Sequence, residues 1–102
     1  VRDTSRAFRA LCARLRALEP LCRYCRNQGR IAAATVTDHI VALSLGGTDD
    51  VSNLCPSCLP CNSAKGIVER RFAAKGYDHR DIMLDPDLAG WIELARKKPV
   101  AP

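Results

Sequence analysis

Six cysteines carry most of the recognisable chemistry in this chain of 102 residues: Cys12, Cys22, Cys25, Cys55, Cys58 and Cys61. Their spacing points to a metal. Cys22-x-x-Cys25 and Cys58-x-x-Cys61 are two knuckles, and in each a tight turn lets both sulfurs face one ion. Two such pairs supply four thiolates, the soft tetrahedral set that zinc prefers. Four thiolates fill the coordination of zinc and leave no position for a reacting water, so this zinc is expected to be structural. Cys55 leaves a second register open, because Cys55-x-x-Cys58 has the same spacing. Three features favour Cys58 and Cys61: Asn53-Leu54 leads into the knuckle, Pro56 stiffens the turn between Cys55 and Cys58, and helical sequence begins near Cys61. Cys12 falls on the apolar face of an expected helix and reads as a small buried hydrophobe. Cys55 admits the same reading.

The elements that position these knuckles follow from the hydrophobic pattern. Thr4 or Ser5 can cap a helix over about 5–18, where Phe8, Leu11, Cys12, Leu15 and Leu18 recur at three and four. Pro20 marks its stop. Residues 33–45 are rich in β-branched and small side chains and read as one or two short strands. Gly46-Gly47 opens a loop. Helical potential runs from Leu59 to about Lys75, interrupted at Gly66 and ended by Gly76. Asp85-Pro86 is a cap and first-turn proline for a last helix over about 86–97, with Leu88, Trp91, Ile92 and Ala95 as its stripe. Lys97 and Lys98 suit its end, and Pro99 stops it. The expected fold class is α+β: a zinc-stapled ββα-metal core at about 22–66, flanked by N- and C-terminal helices. At this length one domain, 1–102, is expected, and a zinc staple compensates for its small core.

Charge narrows the partners. The net charge is +5, and residues 1–30 hold eight Arg against Asp3 and Glu19. A basic first third beside a mildly acidic middle fits a nucleic-acid partner. No run approaches the roughly 20 apolar residues that span a bilayer, so no membrane partner is expected. Val1-Arg2-Asp3-Thr4 has no apolar signal region behind it, which favours a cytoplasmic location. A large cofactor fold does not fit in this length.

The order strand, Asp38-His39, Gly-Gly loop, Asn53, knuckle, helix resembles the HNH endonucleases, the ββα-metal nucleases. The stretch Thr37-Asp38-His39-Ile40-Val41-Ala42-Leu43-Ser44-Leu45-Gly46-Gly47-Thr48-Asp49-Asp50-Val51-Ser52-Asn53-Leu54 is similar to that family throughout, as is Cys58-Leu59-Pro60-Cys61-Asn62-Ser63-Ala64-Lys65-Gly66. With Cys22 and Cys25 the resemblance covers residues 22–66. One position departs from it. The family usually has His directly after the last knuckle cysteine; here it is Asn62, as in the HNN variants.

The resemblance implies metal-dependent hydrolysis of DNA phosphodiesters. It makes His39 the general base, which suits an imidazole near neutral pH. It makes Asp38 and Asn62 the protein ligands of a catalytic magnesium or manganese ion, for which hard oxygen donors are appropriate. It gives Asn53 a structural role, pinning the loop and orienting the His. Lys65, Arg6, Arg9, Arg16, Arg23 and Arg26 are the expected nucleic-acid contacts, and backbone charge should make binding salt-sensitive. Small members of this form are common in phages and prophages, so a bacterial or phage-infected cell and phage packaging proteins are the expected setting. A double-strand cut would need a homodimer or two sequential nicks. The rival reading is a catalytically silent, zinc-stabilised nucleic-acid binding or adaptor module.

Overall fold

The computed structural model describes residues 5–97. The chain begins with α1 (Arg6–Leu18), as its stripe predicts. Ser5 is the N-cap, its Oγ accepting from the Phe8 N–H at 3.1 Å. Thr4, the other candidate cap, lies outside the described residues, as do Lys98 and Pro99. Of the stripe, Cys12 is buried, while Leu18 at its end is exposed. A short α2 (Arg23–Asn27) follows and carries the second cysteine of the first knuckle.

Two strands form the sheet. β1 (Val36–His39) pairs antiparallel with β2 (Leu54–Ser57), with Asp38 opposite Cys55 and His39 opposite Leu54. Both differ from the sequence expectation. The expected strand region 33–45 keeps only 36–39 as strand; Leu43–Leu45 turns into a 3₁₀ segment before Gly46. β2 lies in what reads as the approach to the knuckle. Its Cys55-Pro56 pair hides the strand, because proline removes one backbone donor; a two-stranded sheet tolerates this since every strand is an edge.

α3 (Leu59–Ala74) leaves directly from β2 and runs through Gly66 without interruption. Together β1, β2 and α3 make the ββα unit. A short helix that the pattern does not announce, α4 (His79–Met83), precedes α5 (Leu88–Lys97). Asp85 caps the turn into α5, its Oδ1 accepting from the Asp87 N–H at 2.7 Å. Leu88, Ile92 and Ala95 of α5 are buried, but Trp91 stands at the margin with 40% of its surface exposed. The core runs from the four knuckle cysteines along Ala64 and Val68 of α3 to Ile82, Met83, Leu88 and Ile92. Thus α3 has the cysteines at its start, the sheet on one side and the C-terminal helices on the other. No helix among the described residues is long and apolar enough to cross a membrane.

Candidate active site and metal centre

The four cysteines of the two x-x pairs converge. The Sγ atoms of Cys22, Cys25, Cys58 and Cys61 all lie within 4.8 Å of one another. Cys25 Sγ is 3.7 Å from that of Cys58 and 3.6 Å from that of Cys61. A tetrahedral zinc with bonds of about 2.3 Å has sulfur–sulfur edges of about 3.8 Å, so this donor set fits zinc. Local structure aims the sulfurs: Cys22 Sγ accepts from the Cys25 N–H across the first turn of α2, and Cys58 is the N-cap of α3. Cys55 takes no part. It is buried beside Tyr24, where burial pushes its thiol up to about 11. The Cys58/Cys61 register is therefore the one the fold uses.

Two arginines face the sulfurs. Arg30 Nη1 lies 3.2 Å from Cys25 Sγ. Arg96 Nη1, from the last turn of α5, lies 3.1 Å from Cys25 Sγ and 3.3 Å from Cys61 Sγ. A zinc with four thiolates carries two net negative charges, and two guanidiniums offset them; charge-assisted bonds of this kind are the strong ones. Arg30 is held in turn by the buried Glu93. Burial opposes ionisation of Cys25, but hydrogen bonds from Arg30 and the three other thiols outweigh it and bring its pKa down to about 7. Burial pushes the Cys61 thiol up.

β1, the loop after it and α3 enclose an open cleft of about 590 Å³. Asp38, His39, Asn62, Lys65 and Glu69 line it. Asp38 Oδ2 accepts from the Tyr24 hydroxyl at 3.1 Å and pairs with Lys65 Nζ at 3.1 Å. Burial raises the Asp38 carboxyl above its ordinary value, against the opposing pull of Lys65 and Tyr24. Burial and the Asp38 charge together push the Tyr24 hydroxyl up, so it stays a donor.

His39 is held on two sides. Its Nε2 lies 2.7 Å from Asp49 Oδ1. The ring of Phe8, from α1, stacks on it with centroids 5.9 Å apart and planes within 15°. Asn53 closes the loop that brings Asp49 there. Its Oδ1 accepts from the Val41 N–H, and its Nδ2 donates to Val41 O and, at 2.7 Å, to Thr48 O. Both glycines of the loop are needed. Gly46 has φ 87°, and a Cβ on Gly47 would come within 1.8 Å of Val41 O.

The expected site residues are not all alike in this setting. Asp38, His39 and Asn62 share the cleft, with Asn62 exposed at its rim. Lys65 turns inward: its side chain is 4% exposed, and Nζ serves His39 O, Asp38 and Glu69 at 3.1–3.3 Å. All three ammonium protons are thus used within the protein. Arg6 and Arg9 are exposed on α1. Arg16 donates to Thr37 Oγ1 at 2.6 Å, Arg23 forms a fork on Glu19, and Arg26 lies 3.5 Å from the same carboxylate.

Residues 22–67 match the family model described as HNH endonuclease. This segment belongs to the HNH family. No curated protein and no solved structure matches the chain. The HNH segment thus contains the cysteine cluster and most of the cleft, and three groups that complete them come from outside it: Phe8, Glu69 and Arg96. Sequence reasoning missed these as functional neighbours, and it passed over Tyr24 and Asp49 inside the HNH segment. Asp49 had a usable signal, since an acid two residues after Gly-Gly in a pinned loop has few places to go. Arg96 had none, because its partner cysteines are up to 71 residues away.

Proposed function

We propose that this HNH segment is the catalytic core of a metal-dependent DNA endonuclease. The observation that carries the reading is the convergence of Asp38, His39 and Asn62 on one open cleft beside a buried four-cysteine centre. The oxygen donors of Asp38 and Asn62 fit a hard divalent ion: Asp38 Oδ1 has no hydrogen bond among the described residues, and Asn62 offers a neutral amide. Magnesium or manganese bound there would supply charge stabilisation at the scissile phosphate.

The remaining chemistry falls to the chain itself. His39 takes a proton from water. With Nε2–H donated to Asp49, the lone pair stands on Nδ1, the ring nitrogen left to act as base. Phe8 and Asp49 together fix the plane and tautomer of the ring. Asn53 acts through the loop, since it fixes Thr48 next to Asp49. The cysteine centre staples α2 to α3 with zinc and takes no part in cleavage. Arg6 and Arg9, open to solvent on the helix that carries Phe8, supply backbone affinity for DNA that falls as salt rises.

The test is nicking of supercoiled plasmid at low salt with magnesium or manganese added and zinc kept in place. The native protein should nick only with the added ion, and His39→Ala should lose about 10²–10⁴-fold in rate. Equal nicking by both would remove His39 from the mechanism. Silence from both, with zinc-loaded protein that still binds DNA, would favour a non-cleaving nucleic-acid module. That reading draws on Asn62 in place of His and on the occupied Oδ2 of Asp38.

A further inference from the structure

Away from the cleft, three aromatic rings meet between α3, α4 and α5. Phe72 packs edge-on against Tyr77, with centroids 5.5 Å apart and planes at 79°. It packs in the same way against Trp91, at 5.2 Å and 72°. Tyr77 and Trp91 therefore both stand nearly perpendicular to Phe72 and make walls about it. They enclose a cavity of about 240 Å³, completed by Ile82, Asp81 and Asp85. Drug-sized ligands occupy pockets of roughly 300–1,000 Å³, so this one suits a single side chain. Tyr77 and Trp91 remain 59% and 40% exposed, so both rings are open to an occupant.

The chemistry of the cavity selects its occupant. Ring faces attract cations and accept guanidinium planes in stacking. Lys75 shows the attraction within the chain, with Nζ 5.8 Å from the Phe72 centroid, although it does not line the cavity. At the rim, the Asp81 carboxylate has no hydrogen bond or ion pair among the described residues. Asp85 spends only Oδ1, on its cap to Asp87. Two carboxylates beside aromatic faces repel phosphate and suit a planar, forked cation. We propose that the Phe72–Tyr77–Trp91 cavity, edged by Asp81 and Asp85, binds the guanidinium of an arginine side chain presented by a partner polypeptide.

Trp91 is the one tryptophan of the chain, so its fluorescence reports on this cavity alone. The full zinc-loaded chain is titrated with Nα-acetyl-arginine amide, and separately with the citrulline amide, which has nearly the same shape but no charge. The arginine compound should change Trp91 emission saturably in the millimolar range, and citrulline should bind at least about tenfold more weakly. Asp81→Asn with Asp85→Asn keeps the cap, because Asn caps as well as Asp, and should remove the preference for arginine. Asp81→Asn alone, on an exposed side chain, gives the same reading with half the charge removed, should the double variant fail to fold. Tyr77→Leu should weaken arginine binding. Equal binding of citrulline would overturn the proposal in favour of a plain apolar groove. No saturable response to arginine up to tens of millimolar would overturn it outright, as would a stronger response to the lysine amide.

Discussion

His39 and Asp49, ten positions apart in the chain, meet side chain to side chain, Nε2 to Oδ1 at 2.7 Å, across the loop after β1. The loop has two glycines at its crest and is tied at its base by Asn53. As the proposed base, His39 would take its tautomer from Asp49, whose carboxylate oxygen suits an Nε2–H donor. Asp49→Asn should therefore lower kcat for plasmid nicking by about 10–100-fold, with KM little changed. The ring ¹⁵N shifts of His39 should show loss of the Nε2–H form in the same variant. A normal rate with an unaltered tautomer would separate Asp49 from the chemistry.

The cysteine centre makes two opposite predictions for neighbouring thiols. Cys58→Ser removes a ligand and should give a chain that no longer holds one zinc and loses its cooperative melt, because zinc binding and folding are one equilibrium in small sites of this kind. Cys55→Ala, three residues earlier, removes only a buried thiol that faces Tyr24. It should retain one zinc per chain and cost about 1–2 kcal/mol in a denaturant melt. Metal analysis of the two purified variants checks both. Loss of zinc from the Cys55 variant would assign the ligands wrongly.

The contrast between those thiols also shows what sequence could and could not carry. The knuckle spacing and the Asp38-His39, Gly46-Gly47 and Asn53 order are local patterns, and the fold keeps them within one segment. The helix at 6–18 was legible from its stripe and stop, and the one at 59–74 from its helical potential and its glycine stop, although Gly66 does not interrupt it. β2 was not, because Cys55 and Pro56 carry weak strand preference and the strand is made by pairing with β1. The side chains that finish the site were least legible. Phe8 over His39, Tyr24 on Asp38 and Arg96 on the thiolates are tertiary contacts between residues with no shared motif. Lys65 was legible as a basic residue near the site, but not as one whose ammonium is buried.

Arg96 ties α5 to the metal centre, which gives a prediction for metal release. Arg96→Gln keeps a polar side chain but removes the charge facing Cys25 and Cys61. Zinc should then pass to a competing chromophoric chelator about tenfold faster. Arg30→Gln should act in the same direction, since its guanidinium contacts Cys25 as well. Lys97→Gln, an exposed change on the same helix that touches no sulfur, provides the comparison. Release rates alike in all three variants would mean that the guanidiniums do not stabilise the thiolates.

Lys65 and Asp38 make the last prediction, in which the sign of a pKa shift decides the outcome. Burial raises the Asp38 carboxyl above 3.8 even with Lys65 pulling it down. A group raised in this way contributes stability below its unfolded pKa and loses it as pH rises through the folded value. At neutral pH the charged Asp38 is therefore a cost to the fold, and Lys65 is what offsets it. Lys65→Met should cost about 3–5 kcal/mol at pH 7, the usual penalty for leaving one member of a buried pair alone. It should also shift the activity profile. Only the carboxylate form of Asp38 suits a divalent ion, so cleavage should fall on the acid side. Removing Lys65 takes away the largest influence that lowers that pKa, so the acid limb should move to higher pH. A pH–rate profile with manganese and a denaturant melt at pH 7, each run on both proteins, give the two readouts. An unchanged acid limb in a destabilised variant would mean that Lys65 serves the fold while Asp38 is not the group whose ionisation limits cleavage.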